Sequence, residues 1–154
     1  MLDAPQIVQT NEQLTAVIHL TVPLAEISKV MGPAISEVLS VIARQGVTPN
    51  GPCFSYNPKR PTDTFDFEVG FPVSAPFLPS GRVQLSKLPA AKVVRTVYRG
   101  GYKGLGAAWA EFCAWMETAR LSPQEGLWES YTSGPESSPD PSQWCTELNR
   151  PLKP

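Results

Sequence analysis

The sequence predicts an α+β fold: two copies of a βαββ unit joined in one largely antiparallel sheet, with both helices on one face. Three observations carry that reading: the windows free of proline, the apolar spacing within them, and the order of the strand-like runs around them. Proline occurs 17 times in 154 residues, about twice its ordinary frequency of ~5%. None lies between Ala90 and Ser122, and only Pro33 lies between Leu24 and Thr48, so helices can persist in these two windows.

In the first window Leu24, Ile27, Met31, Ile35, Val38 and Ile42 step by three or four, as do Leu105, Trp109, Phe112 and Met116 in the second. That spacing puts an apolar stripe on one face of each helix. Pro33 follows Gly32, so it either opens the regular helix in its first turn or kinks it, leaving Leu24 to Met31 as a separate short turn. Six runs rich in β-branched or aromatic residues read as strands: 15–22, 53–57, 65–71, 92–98, 127–132 and 144–149.

The order strand, helix, strand, strand occurs twice, which points to internal duplication. An offset of 75 places Thr21-Val22 on Thr96-Val97, Gly51 on Gly126, and Ser55-Tyr56 on Ser130-Tyr131. An offset of 79 places Phe65 to Val69 on Trp144 to Leu148, and Pro72 on Pro151. The longer loop TSGPESSPDPSQ, against NPKRPTDT, accounts for the difference. The reading is one domain over 1–154, with a first unit at about 15–73 and a second at about 90–152.

Charge and composition narrow the function. Thirteen basic against fourteen acidic residues give a net charge of −1, so no basic field exists to hold a phosphate backbone, and direct nucleic-acid binding is not expected. No room is seen before residue 15 for a DNA-binding module. No apolar run approaches the ~20 residues that cross a bilayer, and the opening MLDAPQIVQTNEQL has no signal-peptide pattern. The expectation is a soluble, cytoplasmic protein without membrane association.

Cys53, Cys113 and Cys145 cannot all pair and none stands in a CxxC spacing, which argues for a reducing compartment. With His19 they are the only imidazole or thiolate ligands, so neither a nitrogen–sulfur zinc site nor a haem motif is expected, and the cofactor expectation is none. A serine nucleophile would have to use His19, and no GxSxG is present. His19 sits in the alternation AVIHLTV and reads as a strand-surface residue.

Alternation puts Leu127, Glu129 and Tyr131 on one face of their strand. At the 75 offset Glu129 corresponds to Phe54 and Tyr131 to Tyr56. If both strands have the same orientation, one carboxylate and three aromatic rings project from one side of the sheet. Such a surface suits a flat or bulky apolar cation, since ring faces attract cations at about 0.5–2 kcal/mol each. The alternative is that Phe54, Tyr56 and Tyr131 are ordinary core and Glu129 is a solvated residue or a local hydrogen-bond acceptor.

The segment from Val93 to Leu152 resembles the second half of the GyrI-like effector-binding domains. The resemblance lies in Gly100-Gly101-Tyr102 before the second helix, Glu129-Ser130-Tyr131 on the next strand, the proline loop Pro135 to Pro141, and Thr146-Glu147 leading to Pro151. GPCFSYNP and DTFDFEVGFPV look like the matching first unit, so the resemblance runs from about Ala16 to Leu152. It implies a ligand groove where the two units meet. The family includes drug-sensing parts of transcription regulators, stand-alone binders of amphipathic and often cationic compounds, and the gyrase inhibitor. It also includes stand-alone hydrolases of cyclopropane-bearing alkylating natural products.

By that resemblance Glu129 is the pocket glutamate, with Tyr131 beside it and Tyr102 as a wall. Tyr98 stands where regulators often have histidine, and Trp109 reads as groove or as core, helical spacing favouring core. Glu147 reads as a residue serving the fold. The leading expectation is a stand-alone binder of amphipathic aromatic small molecules by sensing or sequestration, with Glu129, Tyr131, Phe54, Tyr56, Tyr102 and Trp109 as ligand residues. The alternative is the hydrolase, with Glu129 as general base on water. Binding and hydrolysis ask for the same residue types, so the sequence does not separate enzyme from binder. A protein partner, as for a gyrase inhibitor, and haem binding rank below both. Whether the 134–142 loop is a lid or a long hairpin connection is also left open by the sequence.

Overall fold

A computed structural model describes residues 2–59 and 61–154; Met1, at the head of the opening segment, and Arg60, within the NPKRPTDT loop, lie outside the described residues. Among the described residues eight strands form one antiparallel sheet: β1 (Gln6–Gln9), β2 (Gln13–Pro23), β3 (Phe54–Asn57), β4 (Thr64–Pro72), β5 (Val83–Leu88), β6 (Lys92–Arg99), β7 (Leu127–Ser133) and β8 (Cys145–Pro151). Helix α1 (Ile27–Arg44) follows β2, and α2 (Leu105–Thr118) follows β6. The strand order is β1-β6-β8-β7-β3-β4-β2-β5, which puts β3 and β7 side by side at the centre. No helix among the described residues is long and apolar enough to cross a membrane.

Both helices cover the same face. Ala16, Ile18 and Leu20 of β2 and Phe67 and Val69 of β4 pack with Val38, Val41 and Ile42 of α1. Val94 of β6 and Leu148 of β8 pack with Ala108, Phe112 and Met116 of α2. Each fully buried large side chain in these clusters contributes roughly 1.5–3 kcal/mol. Cross-strand pairs carry the same face across the centre, from Val69 to Ser55, Glu129 and Leu148.

The other face is the inside of a curl. Chain segments of three residues join β1 to β2 and β5 to β6, although each pair lies six strand positions apart. Six steps of a flat sheet cover about 29 Å, whereas these links reach about 14 Å. The sheet therefore bends until its two sides approach, and Val8, Val17, Phe54, Leu88, Val93 and Trp128 meet inside it.

The duplication is written in the backbone. Val73 N donates to Leu14 O, and Leu152 N to Lys92 O; Asn50 N donates to Pro72 O, and Gln124 N to Pro151 O; Val47 N donates to Ile42 O, and Leu121 N to Met116 O. Equivalent residues are thus 78 apart in the first strand (Leu14, Lys92), 74 apart from the helix end onward (Ile42, Met116) and 79 apart in the last strand (Pro72, Pro151). The drop from 78 to 74 is about one helical turn, because α1 has 18 residues and α2 has 14. The expected 79 holds; the expected 75 does not, and the odd offset had a consequence. A one-residue slip moves every strand side chain to the opposite face.

The 3₁₀ turn before α1 is confined to Leu24–Glu26, and the helix then runs unbroken through Pro33. Pro33 is exposed, so its missing N–H and its ring fall on the solvent side, away from the buried stripe. Two strands, β1 and β5, are additional to the six read from sequence. β1 lies at one edge of the sheet and β5 at the other.

Candidate ligand-binding site

Helix α1 lies over β2 and β4, and α2 lies toward β6 and β8, so the central pair β3 and β7 floors the space between them. The helix-side residues of that floor are Cys53 and Ser55 from the first half and Glu129 and Tyr131 from the second. Trp109 reaches in from α2 and donates its indole N–H to Glu129 Oε2 at 2.6 Å. Tyr131 donates its hydroxyl to Glu129 Oε1 at 2.8 Å, and in turn has the Ser55 hydroxyl 2.8 Å away. Since the Tyr131 proton points to the carboxylate, Ser55 is the donor to Tyr131.

Aromatic rings form one wall. Tyr102, in the 3₁₀ turn Tyr102–Gly104, meets Tyr131 edge-on at 5.8 Å between centroids and lies against Trp144 at 4.9 Å. Tyr102 keeps 40% of its surface exposed, and Trp144 is half-buried with its indole N–H bonded to Ser138 O at 2.8 Å.

The electrostatics of this site are one-signed. Burial pushes the Glu129 carboxyl above its ordinary value, against the hydrogen bonds from Trp109 and Tyr131 and the nearby Ser55 hydroxyl, which favour its ionised form. Burial also raises Tyr131 far above 10, with the Glu129 charge adding to it. The Cys53 thiol is pushed up to about 12 by burial and by Glu136. Tyr102 is raised by burial and then by Glu136, Cys53 and Glu129. Among the described residues no lysine or arginine pairs with Glu129.

The structure brings together Glu129, Tyr131, Tyr102 and Trp109, and separates them from Phe54 and Tyr56. Phe54 pairs with Ser130, and Tyr56 with Trp128, so both rings lie on the inner face of the curl. Phe54 is 1% exposed, and Tyr56 packs edge-on against Trp128 at 6.2 Å. The expectation that they share a face with Glu129 fails for the reason given above: the residue equivalent to Glu129 is Ser55, by an even offset. Ser55 and Cys53 were missed, although alternation along β3 with that offset would have found them. Trp144 and Glu136 were missed because a loop has no periodicity to read.

Tyr98 is part of the scaffold. Its hydroxyl donates to Gly101 O at 2.8 Å, and a Cβ on Gly104 would stand 2.1 Å from that hydroxyl. The glycines of this turn are therefore what lets Tyr98 seat beneath it. Glu147 lies on the inner face, where it pairs with Arg95 at 3.3 Å and accepts from Asn149 at 3.2 Å, and exposed His19 pairs with Asp66. Cys53, Cys113 and Cys145 are free. Among the described residues no cluster of three or more histidine, cysteine or acidic side chains could hold a metal.

Two cavities lie away from Glu129. One of about 410 Å³ inside the curl is lined by Arg95, Glu147 and Trp128, the first two paired. One of about 170 Å³ beside α2 is lined by Arg150, whose guanidinium donates to Gln124 O at 2.8 Å and to Cys113 Sγ at 3.7 Å.

The family described as GyrI-like small molecule binding domain matches residues 3–153. No curated protein sequence matches the chain. Among solved structures, EcmrR is similar in its DNA complex at 23% identity and TM-score 0.85, with 97% of this chain covered. This chain spans 57% of that EcmrR chain, and 97% of the separate EcmrR C-terminal domain, at 20% identity and TM-score 0.86. SAV2435 bound to tetraphenylphosphonium is similar at 12% identity and TM-score 0.72, covering 98% of this chain and 94% of that one. A hydrolase from Listeria innocua is similar at 15% identity and TM-score 0.60, covering 97% and 91%. At these identities the likeness is one of fold.

Proposed function

Because the chain belongs to the GyrI-like small-molecule-binding domain family, we propose that it binds amphipathic aromatic cations, held by ring faces around Glu129. The observation that carries this is a carboxylate in the floor of the site with two hydrogen-bond donors and, among the described residues, no cationic partner. A carboxylate so placed is held toward its neutral form when the site is empty, and a bound cation favours the ionised form. Trp109, Tyr131, Tyr102 and Trp144 supply faces and edges that attract cations without demanding one geometry. Tetraphenylphosphonium, the ligand named for SAV2435, is a compound of this class.

The test is a fluorescence titration with rhodamine 6G on the wild type and Glu129→Gln, with tetraphenylphosphonium as competitor. The expected result is saturable binding near the micromolar range, about −8 kcal/mol, weakened about tenfold or more by the amide. Equal binding by both would remove Glu129 from the site; no binding by the wild type would remove the reading.

A second reading rests on the Tyr131–Glu129 pair. Glu129 would take a proton from water as its oxygen bonds to a cyclopropane carbon of an alkylating natural product; the electrons of the broken carbon–carbon bond would pass to a conjugated carbonyl. Incubation with such a substrate and mass analysis for addition of water separates the readings, since a binder returns the compound unchanged.

A further inference from the structure

A second carboxylate stands on the exposed side of the cluster around Glu129. After β7 the chain turns at buried Gly134 into the loop that reaches β8, and Glu136 stands two residues along it, exposed. The loop is pinned. Ser137 donates its N–H (2.9 Å) and hydroxyl (2.8 Å) to Gly134 O, Ser142 N donates to Asp140 Oδ1 at 3.0 Å, and the Trp144 indole holds Ser138 O. A Cβ built on Gly134 would lie 2.7 Å from Tyr102 Oη and 2.9 Å from Glu136 Oε2. The Tyr102 phenol and the Glu136 carboxylate therefore crowd the same point of backbone.

Tyr102 in turn lies edge-on to Tyr131, whose hydroxyl is bonded to Glu129. The order is Glu129, Tyr131, Tyr102, Glu136: one carboxylate in the floor, two rings, one carboxylate at the rim. Among the described residues Glu136 makes no ion pair, and Lys103, next to Tyr102 in sequence, pairs with neither carboxylate. Both acidic groups thus lack a protein cation, and the rings between them suit the apolar middle of one ligand.

We propose that the preferred ligands are aromatic dications, with one charge set among the rings above Glu129 and a second, at the end of a short arm, received by Glu136. This rests on the cation-binding reading and adds to it the number and placement of charges. An exposed carboxylate is screened by water and salt, so its contribution is modest and depends on ionic strength.

Ethidium and propidium share one ring system, and propidium carries an added quaternary ammonium on a short chain, so the pair isolates the second charge. Fluorescence titrations of both dyes, on nucleic-acid-free wild type, Glu136→Gln and Glu129→Gln, make the test. The wild type should bind propidium about three to five times more tightly than ethidium at low salt, and the preference should shrink as salt is added. Glu136→Gln should abolish that preference, bringing propidium down to the affinity of ethidium, and Glu129→Gln should weaken both dyes. Equal affinities in the wild type, or a preference that survives Glu136→Gln, would overturn the dication assignment and leave the monocation reading standing. If neither dye nor rhodamine 6G binds, the cation-binding reading fails and this inference with it.

Discussion

Ser55 and Glu129 face each other across the centre of the sheet and are equivalents of one another in the two halves. Around them the halves differ throughout. The position of Tyr131 is held by Asn57 in the first half, and that of Tyr102, which opens its 3₁₀ turn, by Leu24, which is 62% exposed. The second half supplies the charge and the rings, while the first supplies Ser55, Cys53 and a matching floor. The backbone repeats because hydrogen bonding and core packing demand the same geometry twice. The chemistry does not repeat, since a site on the dyad needs only one copy of each group and two facing carboxylates would repel.

The largest expected effect tests the repeated half of that comparison. Ile42 and Met116 are equivalents, each 1% exposed, and each carbonyl accepts the N–H that closes its helix. Ile42→Ala and Met116→Ala should each lower stability by about 2–5 kcal/mol, read from urea unfolding midpoints at constant slope. A loss confined to one of them would show that the halves carry unequal shares of one cooperative core.

The next effect tests the half that does not repeat. Glu129 has a raised pKa in the fold, so the stability it contributes is present below its ordinary 4.5 and is lost as pH rises from there through the raised value. The proposed cation binding should run the other way. Its affinity should climb over the same window and level off above it, because protons compete with the ligand for the carboxylate. Tyr131, Tyr102 and Cys53 are all raised and stay neutral throughout. Titrations of rhodamine 6G from pH 4 to 8 should show this slope in the wild type and a flat profile in Glu129→Gln. Ser55→Ala, on the opposite half, should lower affinity by no more than about fivefold, as expected for one hydroxyl hydrogen bond.

How much of this was legible follows from what periodicity encodes. The α2 stripe is found in the structure, with Phe112 and Met116 buried and Trp109 turned to the site, because a helix face repeats often enough to be read. Glu129 with Tyr131 was legible as alternate residues on one strand. Phe54 and Tyr56 were placed on the wrong face because the two helices differ in length by about a turn, and a sequence offset cannot tell 74 from 75 when identities are sparse. β1, with the sequence QIVQ, is too short to show alternation, and at an edge only one of its sides is paired. Glu136 and Trp144 come to the site through loop hydrogen bonds that no spacing predicts.

The smallest effect sharpens the comparison at one pair of residues. Both helices end in the same way: Gly46 N donates to Ala43 O with φ 70°, and Arg120 N donates to Glu117 O with φ 57°. The left-handed conformation costs a residue with a Cβ about 1–2 kcal/mol, while glycine adopts it freely. The first half therefore closes its helix without strain and the second half closes it against strain. Nothing lies within 4 Å of a Cβ built on Gly46, so Gly46→Ala changes the backbone preference and no packing. Gly46→Ala should lower stability by about 1 kcal/mol and Arg120→Gly should raise it by somewhat less, the added freedom of glycine in the unfolded chain offsetting part of the gain. Thermal unfolding of the two variants reads both signs. If Arg120→Gly also destabilises, the arginine side chain holds the end of α2 by contacts that outweigh its strained backbone, and the two helix ends are alike in shape alone.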